Sequence, residues 1–461
     1  YRKHITRTVL GLTLAAGTSA LAASEGGTPT KDEIRAIVSE MMADAQTRSS
    51  LLQDGALAGH DGGFYLSDTE GNFRLNVEGQ LQFRYTANFG NSNNTTDGGD
   101  FTGGFENPRT KLAFTGNVIN EKLFYRIQGN FGLDNRDFGN NTSDFRLEDA
   151  YVGYAFDNGL ALIWGQLKAP FLREELVSSR HQLAADRSLM HTLFSATRTQ
   201  GVALAYTGED WKGVIAFTDG ANAVNTEFTD DTQIFTTLPT SAPLGGEADF
   251  SVTGRLDFKL AGDDWARFDD FTSMPGQEFA AMVGVAGHLE GNETLRGFNA
   301  GTTGDVLVAG YTADISLEGD GWNFFAAFAG FSSDIENVAD PDGDGLVDDV
   351  SVTDFGVVAQ GGVFIPGTDV EVFARYDGIF LDDDARPGGD DFNTVTFGAN
   401  WYWAGHAAKF TVDAQIFLDE SRGAGGVSVV AAAGPLDSSK AFVGDDDDNE
   451  VAIRAQFQLL F

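Results

Sequence analysis

The chain has no cysteine among its 461 residues. That removes disulfides, thiolate metal centres and c-type haem attachment, and it suits passage through an oxidising periplasm. Past the N-terminal leader, no stretch approaches the roughly 18 uninterrupted apolar residues of a membrane-spanning helix. A bundle of transmembrane helices is therefore excluded, although 42% of the residues are hydrophobic. Basic residues are scarce: 30 Lys and Arg stand against 68 Asp and Glu, a formal charge of −38. So acidic a chain is not expected to bind nucleic acid or anionic membrane surfaces. Its six histidines form no H-E-x-x-H cluster, and neither a G-x-S-x-G elbow nor a P-loop occurs. No catalytic residue is assigned, and the chain reads as no enzyme.

Glycine (57 residues), phenylalanine (38) and 12% aromatics are plentiful, as many turns and strands with bulky outward rings require. The length would serve two or three soluble domains or one large barrel, and the strand pattern decides between them. Val451, Ile453, Ala455, Phe457, Leu459 and Phe461 share one face of a strand, while Arg454, Gln456 and Gln458 share the other. Side chains alternate with period two along a strand. The same dyad runs through 72–89, 250–260, 395–403 and 410–418. Charges on the non-apolar face fit a water-filled lumen better than a core between two sheets. By this alternation Arg74, Arg84, Arg126, Arg255, Arg375, Lys409 and Arg454 face the lumen, interspersed with Glu78, Asp257, Asp377 and Asp413. Trp401, Tyr402 and Trp403 match an aromatic girdle.

Connections alternate in length. Short ones fall at 119–121, 157–159, 208–210, 319–321, 365–368 and 404–406, with long polar ones between them. The exception is 261–277, long where a short turn is due. The fold class is all-β: an antiparallel transmembrane β-barrel of about sixteen strands, with short periplasmic turns and long external loops. Such a barrel meets outer-membrane lipid and lipopolysaccharide.

The N-terminus carries an export signal. Arg2, Lys3 and Arg7 form a basic region, Val9–Ala16 an apolar one, and Ala20-Leu21-Ala22 a cleavage site. Tyr1 stands where a methionine is expected, so the start reads as incomplete. Residues 1–22 are read as a signal peptide, 23–63 as a periplasmic helix (30–53) and linker, and 64–461 as the barrel, in the outer membrane of a Gram-negative-type cell.

The stretch Trp164-Gly-Gln-Leu-Lys168-Ala-Pro170-Phe171-Leu-Arg173-Glu174-Glu175-Leu-Val-Ser-Ser-Arg180, followed by Arg187-Ser188-Leu189, has helical composition after Pro170. It resembles the phosphate-selective porin O and P family, as do Gly63–Leu75 and the terminal Phe461. The resemblance implies that this third external loop folds inward and narrows the channel, with Lys168, Arg173, Arg180 and Arg187 at the constriction. The alternative for each is a salt bridge pinning the loop to the wall. The resemblance also implies a homotrimer. The function expected is passive diffusion of small hydrophilic solutes and ions. From Lys168 to Arg198 there are five bases and three acids, which points to mild anion preference, since exposed loop charges are screened beyond about 8 Å. The sequence does not by itself identify phosphate as the solute.

Asp340, Asp342, Asp344 and Asp348, with Gly345 at the bend, match a calcium loop, although Ser351 stands where an EF-hand has its bidentate Glu. A weak calcium site is the reading, against a solvated acidic loop. No other cofactor is expected. Two further readings compete with a channel: a structural anchor carrying the 30–53 helix, and an outer-membrane hydrolase whose residues meet only in space.

Overall fold

The computed structural model describes residues 57–60, 63–90, 101–132, 145–226, 248, 250–292, 306–339, 347–382, 391–419 and 450–461. The 30–53 helix lies outside them. A short hairpin, β1 (Leu57–His60) and β2 (Phe64–Ser67), precedes the barrel. The barrel strands are β3 (Arg74–Phe89), β4 (Thr102–Asn117), β5 (Leu123–Asn130), β6 (Arg146–Ala155), β7 (Leu160–Lys168), β8 (Arg198–Thr207), β9 (Trp211–Thr218) and β10 (Phe250–Ala261). They continue as β11 (Ala280–Asn292), β12 (Val306–Gly319), β13 (Trp322–Ala339), β14 (Val347–Phe364), β15 (Val370–Phe380), β16 (Phe392–Tyr402), β17 (Ala408–Phe417) and β18 (Val451–Leu460).

Each strand from β3 to β18 pairs antiparallel with the next, and β18 pairs with β3 from Val451↔Phe89 to Leu460↔Gln80. The sheet is a closed sixteen-stranded barrel, as the count of alternating segments leads one to expect. Closure removes the sheet edge that hydrocarbon cannot solvate. The short hairpin adds to it: β2 pairs with the start of β3, from Phe64↔Val77 to Ser67↔Arg74, in line with the end of β18. At that join the Phe461 carbonyl accepts the Gly79 N–H at 2.6 Å. A Cβ on Gly79 would lie 2.2 Å from the Phe461 ring, so the closing aromatic needs glycine there.

The outward faces carry exposed apolar side chains such as Phe83, Phe105, Trp164, Phe217, Phe397 and Ile453, as a lipid-facing surface requires. Pro108 lies inside β4 because the β3–β4 register slips between Gln82 and Arg84. A bulge tolerates a residue with no N–H to give to the ladder. A second bulge, between Gln128 and Gly129 on β5, lets Gly129 pair with Leu147 and Gln128 with Asp149. Glu148 is the extra residue, and both Glu148 and Asp149 are buried.

Candidate functional site

The connection between β7 and β8, residues 169–197 (the third long loop), turns into the barrel. It contains two short helices, α1 (Arg173–Leu176) and α2 (Leu189–Phe194), and a 3₁₀ turn, Ser179–His181. Ser178 and Ser188 cap their segments by accepting from Arg180 N and His191 N. The Glu174 carboxylate fixes the second cap, accepting from Ser188 N at 2.7 Å and Ser188 Oγ at 2.5 Å. Gln182 Nε2 donates back to the Glu174 and Val177 carbonyls, each at 3.2 Å.

One face of the loop is apolar and buried. Phe171, Leu172, Leu189, Met190 and Phe194 join one cluster with Phe325, Phe331, Val358, Ile379, Phe392 and Phe417 of the wall. The wall side chains occupy inward positions that the porin pattern reserves for polar residues. Gly356 on β14 makes room: a Cβ there would lie 2.6 Å from Met190 Cγ and 2.8 Å from the Phe194 ring. Burying side chains of this size is worth about 1.5–3 kcal/mol each, so this packing holds the loop to the wall.

Polar contacts fix its register. Arg84 Nη2 donates to Ala185 O at 3.0 Å, and its Nη1 pairs with Asp186 at 2.7 Å. Arg109 also pairs with Asp186. Arg375 donates to Asp186 O at 2.7 Å, Lys409 to Gln182 O at 2.8 Å and Arg255 to Phe171 O at 2.9 Å. Arg454 pairs with Asp413 at 2.7 Å, and Asp413 accepts from Ala185 N at 2.9 Å. Of the seven bases expected to face the lumen, Arg84, Arg255, Arg375, Lys409 and Arg454 thus point inward but are buried. They receive the loop and do not line water. Arg74 and Arg126 remain partly open. Arg74 lies over the Tyr65 ring at 4.4 Å, and Arg126 pairs with Asp149 at 3.2 Å.

The four residues expected at the constriction separate in the same way. Arg173 is buried on the packed side, donating to Ser316 Oγ at 3.0 Å and to the Phe268 carbonyl. It belongs to the anchoring, because the turn of α1 directs it toward the wall. Lys168 Nζ donates to Glu175 O at 2.5 Å and Leu176 O at 3.3 Å. Arg187 donates to Glu174 O at 2.8 Å and Val177 O at 3.0 Å. These two cations cap the carbonyl end of α1. Arg180 reaches across to Glu78 on β3 at 3.1 Å.

Beside this loop face lies an ion-pair field. Arg198 is its hub, 2.7 Å from Asp149, 3.6 Å from Glu148 and 3.5 Å from Glu175. Lys111 pairs with Glu148 at 2.7 Å. Sequence reasoning missed Lys111, Glu148, Asp149 and Arg198 as a group. Lys111 had the right parity, but the bulge at Glu148 breaks the alternation by which both acids could have been placed. Burial alone would raise the Glu175 carboxyl. The Arg187 and Lys168 charges, with the His191 hydrogen bond, reverse this and hold it well below the ordinary carboxylate range. Burial in turn lowers His191. Several bases of the field are more open than the acids they meet: Arg126, Lys168, Arg180 and Arg198 keep 24, 20, 18 and 15% of their side-chain surface, against 11, 7 and 4% for Glu148, Asp149 and Glu175, while Lys111 keeps 9%. Glu78, at 24%, is the exposed acid among them.

A hydroxyl, imidazole and carboxylate do meet in line. Thr253 Oγ1 lies 2.8 Å from His288 Nδ1, and His288 Nε2 lies 3.0 Å from Glu290. All three are buried beside Phe171 and Phe331, and Glu290 accepts from Ala221 N at 2.7 Å. The trio ties residue 221 to the wall. Of the calcium loop, Asp340, Asp342 and Asp344 lie outside the described residues, and Asp348 is described only as a backbone position on β14.

The barrel and its inward loop define the class: an outer-membrane porin-type β-barrel. Residues 80–250 match the profile of the family described as "Phosphate-selective porin O and P", the family that the 164–201 motif resembles. Among solved structures, the chain is similar to the outer membrane channel DcaP of Acinetobacter baumannii, at 14% identity and a TM-score of 0.50, covering 87% of this chain and 100% of that one. It is also similar to OprB of Pseudomonas putida, at 10% identity and a TM-score of 0.48, covering 90% and 96%. OmpT of Vibrio cholerae gives 11% and 0.48, covering 84% and 98%. At these identities the likeness speaks to fold alone. No curated protein sequence matches the chain.

Proposed function

We propose that this protein is an outer-membrane porin, a water-filled channel for passive diffusion of small hydrophilic solutes with a mild preference for anions. The observation that carries the reading is the third loop folded into the barrel, packed against one wall and leaving the Arg126–Arg180–Arg198 field on the other side. Charges at a narrow point act on a passing ion at short range, whereas exposed loop carboxylates are screened within about 8 Å. In planar bilayers, purified folded protein should give discrete conductance steps. In a salt gradient its reversal potential should favour chloride over potassium, and Arg126→Ala with Arg180→Ala should reduce that preference. Absence of steps would return the structural-anchor reading, and clear cation selectivity would show that lumen carboxylates dominate.

Homotrimeric association, a periplasmic place for residues 23–63 and a weak calcium site at Asp340, Asp342, Asp344 and Asp348 belong to the same reading. Cross-linking in membranes tests the first, and protease accessibility from the periplasmic side the second. For the third, calcium should protect 340–349 from proteolysis at millimolar concentration. Equal cleavage in chelator leaves a solvated acidic loop.

A further inference from the structure

The connection between β10 and β11, among the described residues the one long segment at the short-turn end, does not hang outside the barrel. Phe268, Phe271, Thr272 and Ser273 are buried. The Phe271 ring lies 4.6 Å from Phe325 of the wall, and Thr272 Oγ1 is 3.1 Å from Tyr402 Oη. From there the connection grips the third loop from below. Phe271 N–H donates to His181 O at 3.4 Å, His181 Nδ1 lies 3.2 Å from Asp269 O, and Arg173 donates to Phe268 O. The short turn 403–407 closes the arrangement. The His406 ring is 4.7 Å from the His181 ring, and Asp270 Oδ2 is 3.5 Å from His406 Nε2. Gln458 Nε2 donates to both Arg180 O and His406 O, at 3.0 and 2.8 Å.

We propose that the connection 262–279 and the turn 403–407 form an acid-released latch on the third loop, with His181 and His406 as the titrating pair. The inference rests on the channel reading and adds to it a means of regulation. Two imidazoles this close are compatible while neutral and repel once both are protonated. Other charges face them from each side. The connection presents Asp269 and Asp270, β17 presents Lys409, and the loop itself presents Arg180 and, further off, Arg173. Lys212 of β9 approaches Asp269. Burial, then the neighbouring His406, pushes His181 down to about 4 from 6.5. Burial likewise lowers His406. Asp270 is the carboxylate that faces both rings, and a single negative charge cannot offset two imidazolium ions; Asp269 meets His181 through its backbone carbonyl.

The sign follows from linkage. A released loop exposes both imidazoles to water, where they take protons near 6.5, while in the latched form His181 resists protonation to about 4 and His406 is lowered as well. Between these values the released form binds more protons, so acid favours release. Above about 6.5 the latch holds fully. Release frees the 179–182 segment, which carries Arg180.

The test is single-channel recording of the full chain at pH 7.5 and pH 4.5. The wild type should show reversible gating events at least about tenfold more frequent at pH 4.5, and His181→Gln with His406→Gln should remove that dependence. An unchanged acid response in the double variant, or no acid response in the wild type, overturns the latch. A second readout does not depend on conduction. Because the chain lacks cysteine, Leu176→Cys with Ala266→Cys places two spin labels, one on the loop and one on the connection. Their distance distribution should broaden reversibly at pH 4.5; an unchanged distribution overturns the latch. A protein that never conducts sinks the channel reading, and the spin labels still decide the latch.

Discussion

The two sides of the barrel interior are built on opposite principles. On the side of β10–β18 and β3 the third loop is packed down with apolar side chains, and the inward bases beneath it are buried against loop carbonyls and Asp186. On the side of β4–β8 charges are paired with one another, and Arg126 and Arg198 keep more of their surface than the Asp149 they share. A buried guanidinium needs every partner and so fixes structure. A partly exposed one has capacity left to meet a passing anion. The same residue types, all inward-facing, divide into anchors and lining according to where the loop lies.

That contrast can be broken most violently on the packed side. Met190→Asp puts a carboxylate into the contact among Phe194, Phe331 and Gly356, where it finds no partner. The expected loss is more than about 4 kcal/mol of loop packing. Protease cutting within 169–197 and a larger single-channel conductance should report it; an uncut loop with unchanged conductance would mean that the apolar contact does not hold it.

On the ion-pair side Glu175→Gln leaves Arg187, Lys168 and Arg198 short of a counter-charge, for about 3–5 kcal/mol, read as a lower denaturation midpoint. The wild-type carboxyl lies well below its ordinary 4.5. Its contribution is therefore present above 4.5 and lost as pH falls through the folded value. The variant should lose part of the wild type's steep decline below pH 4. An identical decline would place the acid sensitivity elsewhere; the histidine latch, which begins to yield below about 6.5, sets in at higher pH. Arg198→Ala should have the smallest effect on stability, about 1.5–3 kcal/mol, because Lys111 and Arg126 continue to serve Glu148 and Asp149. It should also shift the reversal potential toward cations, and a shift toward anions would contradict the field's role.

How far the sequence foretold this differs by region. Strands, closure and the rhythm of connections were legible because lipid outside and water inside impose a strict alternation over every strand. Phe331, Phe392 and Phe417 were not, since they lie on the nominally polar face and acquire their reason only from Met190 and Phe194, far away in the chain. Arg173 was legible as part of a motif, but its direction is set by a one-turn helix to which period two does not apply. The long connection at 261–277 stood out as an irregularity. Its meaning depends on His181 and His406, which no local pattern joins.

The division of the interior is tested most directly by single cysteines in this cysteine-free chain. Arg126→Cys lies on the ion-pair side, and Thr396→Cys lies buried on the wall beneath the loop. A charged thiol-reactive reagent added to the open channel in a bilayer should react at 126 and reduce the current within minutes, and leave 396 untouched. Rapid block at 396, or none at 126, would contradict the account.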